Sequence, residues 1–232
     1  MVRTATAPKN RISENGNGHA KKTDAAPASK SEQVSIRPIE IRSFEIPIRG
    51  TSPLIVHKFS EKARKSIKDK QEQKAKGGKE KRDPHAEFLA ALYVMPGTGE
   101  AGSKTAKYGI PASGFKKAAI KACRYIDGIN MTFAAGAFHV GEDAGGLIQI
   151  KCSPPVMRED TVRIGQKKDI LDLRYRPQFD EWSCILRIRH NASVISAEQI
   201  VNLFHHAGFH IGWGELRAEK GYSNGTFEVV TK

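Results

Sequence analysis

Between residues 208 and 225 the chain reads GFHIGWGELRAEKGYSNG, with glycine at 208, 212, 214, 221 and 225 and Trp213, Arg217, Lys220 and Tyr222 set among them. Glycine lets a backbone approach a ligand closely and turn its N–H groups toward an anion. Aromatic rings offer stacking surfaces for bases, and Arg and Lys pair with phosphates. The same residues would also serve as a long connection whose aromatics plug the core, and spacing alone leaves both uses open. A second stretch, DLRYRPQFDEW (172–182), again joins basic and aromatic residues in Arg174, Tyr175 and Arg176. A third, PASGFKKAAIKACRYI (111–126), carries Lys116, Lys117, Lys121 and Arg124.

Other constellations are weaker. Gly97–Thr105 has the glycine spacing of a phosphate loop, but Ser103 stands between Gly102 and Lys104 and no helix begins at Thr105. A phosphate loop needs lysine directly after its second glycine, and a dinucleotide fingerprint needs a helix at its third. His205, His206 and His210 contain the residue type of a metal site, yet adjacent helical residues point about 100° apart and Glu215 is the nearest acid. They read instead as histidines at a helix end, and no metal or cofactor is expected. His57, beside Lys58, is a candidate general base for RNA cleavage or, more simply, a binding residue.

Charge points the same way as the loop. The 232 residues hold 38 Lys and Arg against 25 acids, a net +13, so an anionic partner is expected: nucleic acid first, an anionic membrane second. Residues 1–35 contribute +3 and 58–82 contribute +7, leaving +3 for the remainder. The first segment, poor in large apolar residues, is expected to be a disordered basic tail. The second favours helix but lacks apolar periodicity, is broken at Gly77-Gly78 and Pro84, and is expected to project as a basic arm within an insertion spanning 58–107. No apolar run is long enough for a membrane span, and no secretory signal opens the chain. Three scattered cysteines, Cys123, Cys152 and Cys184, form no CxxC pair, which suits a reducing cytoplasm.

The elements that would position these groups follow from periodicity. IEIRSFEIPI (39–48) alternates as a strand. Residues 111–126 form a helix with Phe115, Ala118, Ala119, Ala122 and Ile126 on one stripe and lysines opposite. LIQIKC (147–152) and CILRIRH (184–190) are strands, the latter with Cys184, Leu186 and Ile188 on one face and Arg187 and Arg189 on the other. The helix at 197–207 opens on a Ser196/Gln199 capping box, staples Ile195 to Ile200, and ends at Gly208. TFEVV (226–230) is the last strand. The order is βαββαβ, so residues 36–232 are expected to be a single α+β, ferredoxin-like (RRM-like) domain, with the basic insertion between its first strand and first helix.

This order, the YGIPASGFKKA entry into the first helix (108–118) and the glycine-rich loop before the last strand resemble the RAMP superfamily, and more narrowly the backbone subunits of CRISPR effector complexes. Ile110, Pro111, Ser113, Phe115 and Lys116 match that family's I-P-x-S-x-(L/F)-(K/R)-G opening, with Lys117 where glycine is usual. The C-terminal GWGELRAEKG…GTFEV segment is also similar to one in phage and plasmid proteins. The resemblance implies a protein that oligomerises along single-stranded RNA or DNA, RNA favoured, as a filament or with other subunits of a ribonucleoprotein, in an antiviral or phage setting. Its contacts are expected at His57, Lys58, Lys116, Lys117, Lys121, Arg174, Arg176, Trp213, Arg217, Lys220 and Tyr222, with no catalytic residue. The alternatives are a metal-independent RAMP-type endoribonuclease with His57 as base, a phage single-stranded DNA-binding or recombination protein, and a phage assembly protein whose arm meets an acidic partner.

Overall fold

Alternation along Ile41–Gly50 produces strand β1, with Ile46 and Ile48 buried, Phe44 half-buried, and Ser43, Glu45, Pro47 and Arg49 on the solvent face. The computed structural model describes residues 36, 38–59, 61–73, 81–164 and 170–231. The expected N-terminal tail, residues 1–35, lies outside the described residues. Pro38–Lys232 forms one compact unit.

β1 is central to an antiparallel sheet. It pairs on one side with β10 (Phe227–Val229) and on the other with β9 (Trp182–Asn191), and β9 pairs in turn with β4 (Phe138–Val140) and β6 (Lys151–Cys152). The register sets Ile46 opposite Leu186 and Ile48 opposite Cys184, all on the inner face. Helix α3 (Ala112–Ala122) packs Phe115, Ala118, Ala119 and Ala122 into the core formed on that face, and α5 (Ala197–His206) adds Ile200, Leu203 and Phe204. Edge contacts between Phe138 and Phe204 (6.1 Å) and between Phe115 and Phe227 (5.5 Å) tie both helices to the sheet. The capping box is present: Ser196 Oγ accepts from the Gln199 amide at 3.1 Å, and Gln199 Oε1 accepts from the Ser196 amide at 2.9 Å. The result is an α+β fold with antiparallel sheets.

Three expectations are corrected, and one pair of strands had no expectation. LIQIKC is two strands in different sheets: β5 (Leu147–Gln149) pairs with β3 (Gly109–Pro111), while β6 joins the main sheet. Gly208 does not end α5. The chain continues through one wider turn, Ala207–Ile211, closed by the Gly212 amide on the Ala207 carbonyl at 2.9 Å. A Cβ on Gly208 would stand 1.9 Å from the Phe227 carbonyl oxygen, so glycine is required there for close approach to β10.

A long hairpin, β7 (Val156–Ile164) and β8 (Ile170–Phe179), joins β2 (Leu54–Ile55) in a second sheet of order β2-β8-β7. Its strands alternate poorly because charged residues occupy both faces, so periodicity did not announce them. Finally, residues 58–107 are not simply an arm. Glu61–Gln71 forms helix α1. Pro84, expected as a break, opens helix α2 (Pro84–Ala90), whose N-terminus Asp83 caps by accepting from the His85 and Ala86 amides. Phe88, Leu92 and Met95 then bury in the core. Arg82, doubly bonded to Glu87 and also bonded to Asp172 and the Leu173 carbonyl, fastens this segment to the hairpin.

Candidate nucleic-acid interface

The outward face of α3 and the loop 211–219 enclose a groove of about 240 Å³. Helical spacing places Lys117 and Lys121 one turn apart on the face opposite Phe115, and both line the groove. The other wall carries Gly212, Trp213, Gly214, Glu215, Arg217 and Glu219, and His57 and Tyr93 complete it. His57, Lys117, Lys121, Trp213 and Arg217, drawn from three distant stretches of chain, therefore meet in one place.

The loop is held from within. The amides of Trp213, Glu215 and Gly225 donate to Gly225, Ile55 and Pro53 carbonyls at 2.7–2.8 Å. A Cβ on Gly214 would stand 2.4 Å from the Ile55 oxygen, and its φ of +94° lies where glycine is favoured. These glycines thus serve backbone-to-backbone packing, and those three amides, which sequence reasoning offered to phosphate, are spent inside the chain.

The cations are largely paired. Glu219 accepts from Lys121 Nζ at 2.6 and 2.9 Å and from Arg217 at 2.7 and 3.1 Å, and Lys220 lies 3.8 Å from Glu215. Burial pushes the Glu219 carboxyl up, but the hydrogen bonds from Lys121 and Arg217 outweigh it and hold the group below its ordinary value. Lys117 is exposed and has no ion-pair partner among the described residues. Glu219 had no local signal in the sequence, because its contact with Lys121 spans 98 positions.

On the groove wall, where His57 is exposed, Arg176 Nε donates to His57 Nδ1 at 3.4 Å. Desolvation of the ring and the adjacent Arg176 charge hold His57 below the ordinary imidazole value, against a smaller opposite pull from Glu215. A neutral ring that accepts at Nδ1 carries its proton on Nε2, so His57 offers the groove a donor rather than a base. Behind it, Arg176 and Asp160 form a buried ion pair at 3.2 Å, which Arg158 joins at 2.7 Å.

No family model and no curated protein matches the chain. Among solved structures, Cmr6 from Pyrococcus furiosus is similar over 83% of this chain and 100% of that one, with a TM-score of 0.41 and 10% identity. At that level of similarity the functional reading rests on the chain's own geometry.

The remaining expected contacts are dispersed. Lys116 turns away from Lys117 and Lys121 to the edge strand β4, where Nζ lies 3.4 Å from His139 Nδ1. Lys58 is half-buried beside the groove's His57, its amide bonded to the Ala91 carbonyl. Arg174 pairs with Asp172 at 2.9 Å on the hairpin. Tyr222 is exposed in a separate hollow beside Arg163 and Arg158. Two expected contacts are corrected by burial. Arg176 is 7% exposed and committed to Asp160. Trp213 is 8% exposed, its ring 6.3 Å from Phe115 and its Nε1 packed against Gly114, so it is part of the core and not a stacking platform. Among the described residues no three metal-ligating side chains gather, and no helix is long and apolar enough to cross a membrane.

Proposed function

We propose that the chain binds single-stranded nucleic acid, RNA in preference to DNA, as a cytoplasmic RAMP-type protein of ferredoxin-like fold that lines up in several copies along the strand. The observation that carries this reading is the groove between α3 and the 211–219 loop, where Lys117, Lys121, Arg217 and His57 converge. A phosphate entering there meets Lys117 first. It then competes with Glu219 for Lys121 and Arg217, while Nε2–H of His57 supplies a further donor. Exposed Tyr222 is the stacking aromatic. The ferredoxin-like assignment is supported by the succession β1, α3, β4, β9, α5, β10 and by the sheet order β10-β1-β9-β4, which sets the last strand beside the first.

The reading contains no catalytic step. An endoribonuclease based on His57 needs an unprotonated nitrogen facing the substrate, and the nitrogen not engaged by Arg176 is the protonated one.

The test is fluorescence anisotropy of the full chain with single-stranded RNA and DNA of matched sequence, across a salt series, with light scattering on the same samples. Binding with a linear log–log salt dependence is expected, tighter for RNA, with Lys117→Ala reducing the slope by about 0.7, the value for one phosphate contact on a single strand. A slope that Lys117→Ala leaves unchanged removes the groove from the interface. Failure to bind either strand ends the reading in favour of a protein partner.

A further inference from the structure

Away from the groove, on the solvent face of the main sheet, one transverse row of side chains is rich in hydrogen-bond donors. Ser43 on β1 stands directly opposite Arg189 on β9, and Arg189 directly opposite His139 on β4. Lys116 reaches over the sheet edge from α3, its ammonium 3.4 Å from His139 Nδ1 and 5.8 Å from the centre of the Phe138 ring. Side chains directly opposite on antiparallel strands are close, and like charges there destabilise a sheet. Among the described residues neither Arg189 nor Lys116 has an ion-pair partner, so the fold holds a guanidinium and an ammonium, the latter's pKa lowered by desolvation, against one imidazole. The cost is visible in His139, which the Lys116 charge, then desolvation, then Arg189 hold below its ordinary value.

The nearby carboxylates serve other groups or lie aside. Asp143 is ion-paired with Arg187. Glu45 stands opposite Arg187, one row along from Arg189. Glu142 lines the same groove, with its carboxylate turned toward Gly146. That groove, of about 600 Å³, runs along Ser43, His139 and Arg189.

We propose that the Lys116–His139–Arg189–Ser43 row is an anion site for a phosphate group, separate from the α3 groove and independent of the reading given above. A phosphate here accepts from the Arg189 guanidinium through two oxygens, from the Lys116 ammonium, from the His139 ring and from Ser43 Oγ–H. Its negative charge removes the repulsion on His139, so binding takes up a proton there and tightens as pH falls toward the ordinary imidazole range. The phosphate can come from a free or terminal phosphate group or from the interior of a nucleic-acid strand.

The experiment follows the His139 ring signal by NMR in the full chain, assigned by its loss in His139→Gln. Inorganic phosphate is titrated first, then oligonucleotides of one sequence with a 5′-phosphate or a 5′-hydroxyl. Inorganic phosphate is expected to shift the signal saturably and to raise the pH at which His139 titrates. Arg189→Ala should weaken that response about tenfold, the loss typical of a charged hydrogen bond, with partial recovery in Arg189→Lys. A stronger response to the 5′-phosphorylated strand assigns the site to terminal phosphate; equal responses assign it to internal phosphodiesters. A His139 signal in the unmodified protein that none of the three ligands moves overturns the proposal, whatever the variants do. Lys117→Ala should leave the response to inorganic phosphate intact, so that response and the Lys117-dependent salt slope can fail separately.

Discussion

Arg176 binds two partners at once, donating from Nε to His57 Nδ1 at 3.4 Å and from Nη1 to the buried Asp160 carboxylate at 3.2 Å. It thereby couples the β7–β8 hairpin to the His57 wall of the α3 groove. A guanidinium always remains a donor, so the nitrogen it engages must stay unprotonated, and the tautomer of His57 follows from a residue 119 positions away.

This relationship predicts an acid-sensitive fold. His57 and His139 both titrate below their ordinary value of 6.5 in the folded chain. Between the folded values and 6.5 the unfolded state binds more protons, so stability should rise with pH through that window and fall on acidification through it, with no further loss from these groups below it. Thermal melts across this range should show the fall, and a His57→Gln/His139→Gln double variant should flatten it. An equally steep fall in the double variant would assign the acid sensitivity to other groups.

Glu219 neutralises two groove cations, so replacing its charge should help an anionic ligand. Glu219→Gln is expected to tighten single-stranded RNA binding several-fold and to steepen the salt slope by up to about 1.4, as Lys121 and Arg217 become free for two phosphates. Anisotropy titrations at several salt concentrations check this. Weaker binding with an unchanged slope would mean that Glu219 chiefly positions the loop.

The Asp160–Arg176 pair is 9% exposed on both side chains. Asp160→Ala leaves a buried guanidinium without its carboxylate, a change that typically costs about 3–5 kcal/mol. Denaturant unfolding should show that loss. A destabilisation near zero would mean the hairpin root opens to water.

Gly208 has no room for a side chain, its Cβ position being 1.9 Å from the Phe227 oxygen. Gly208→Ala should destabilise by about 1–3 kcal/mol or more through forced separation of the wide turn from β10, in contrast to the usual benefit of alanine within a helix. A chemical melt compared with Gly136→Ala, where the added carbon meets nothing within 4 Å, isolates the steric effect.

Much of the architecture was written in local pattern. The alternation of Phe44, Ile46 and Ile48, the stripe Phe115–Ala118–Ala119–Ala122 and the Ser196/Gln199 capping box each depend on neighbours a few residues apart and are found in the structure, whereas Ile126, read on the same stripe, lies beyond the helix, which ends at Ala122. Lys117 and Lys121 were legible on the same ground, since a helix that buries Phe115 must expose them.

What only the tertiary structure decided is pairing at long range. Whether Trp213 stacks on a base or fills the core depends on the space above Gly114, and that space is set by α3. Whether Lys121 and Arg217 are free cations depends on Glu219, and whether His57 can act as a base depends on Arg176. Lys116 and Lys117 are adjacent in sequence, yet about 100° of helical rotation sends one to the β4 edge and the other to the groove. Composition and periodicity determined that this chain is basic and mixed α+β. Charge compensation and burial, which depend on distance in space, decided which of its cations are paired and which are not.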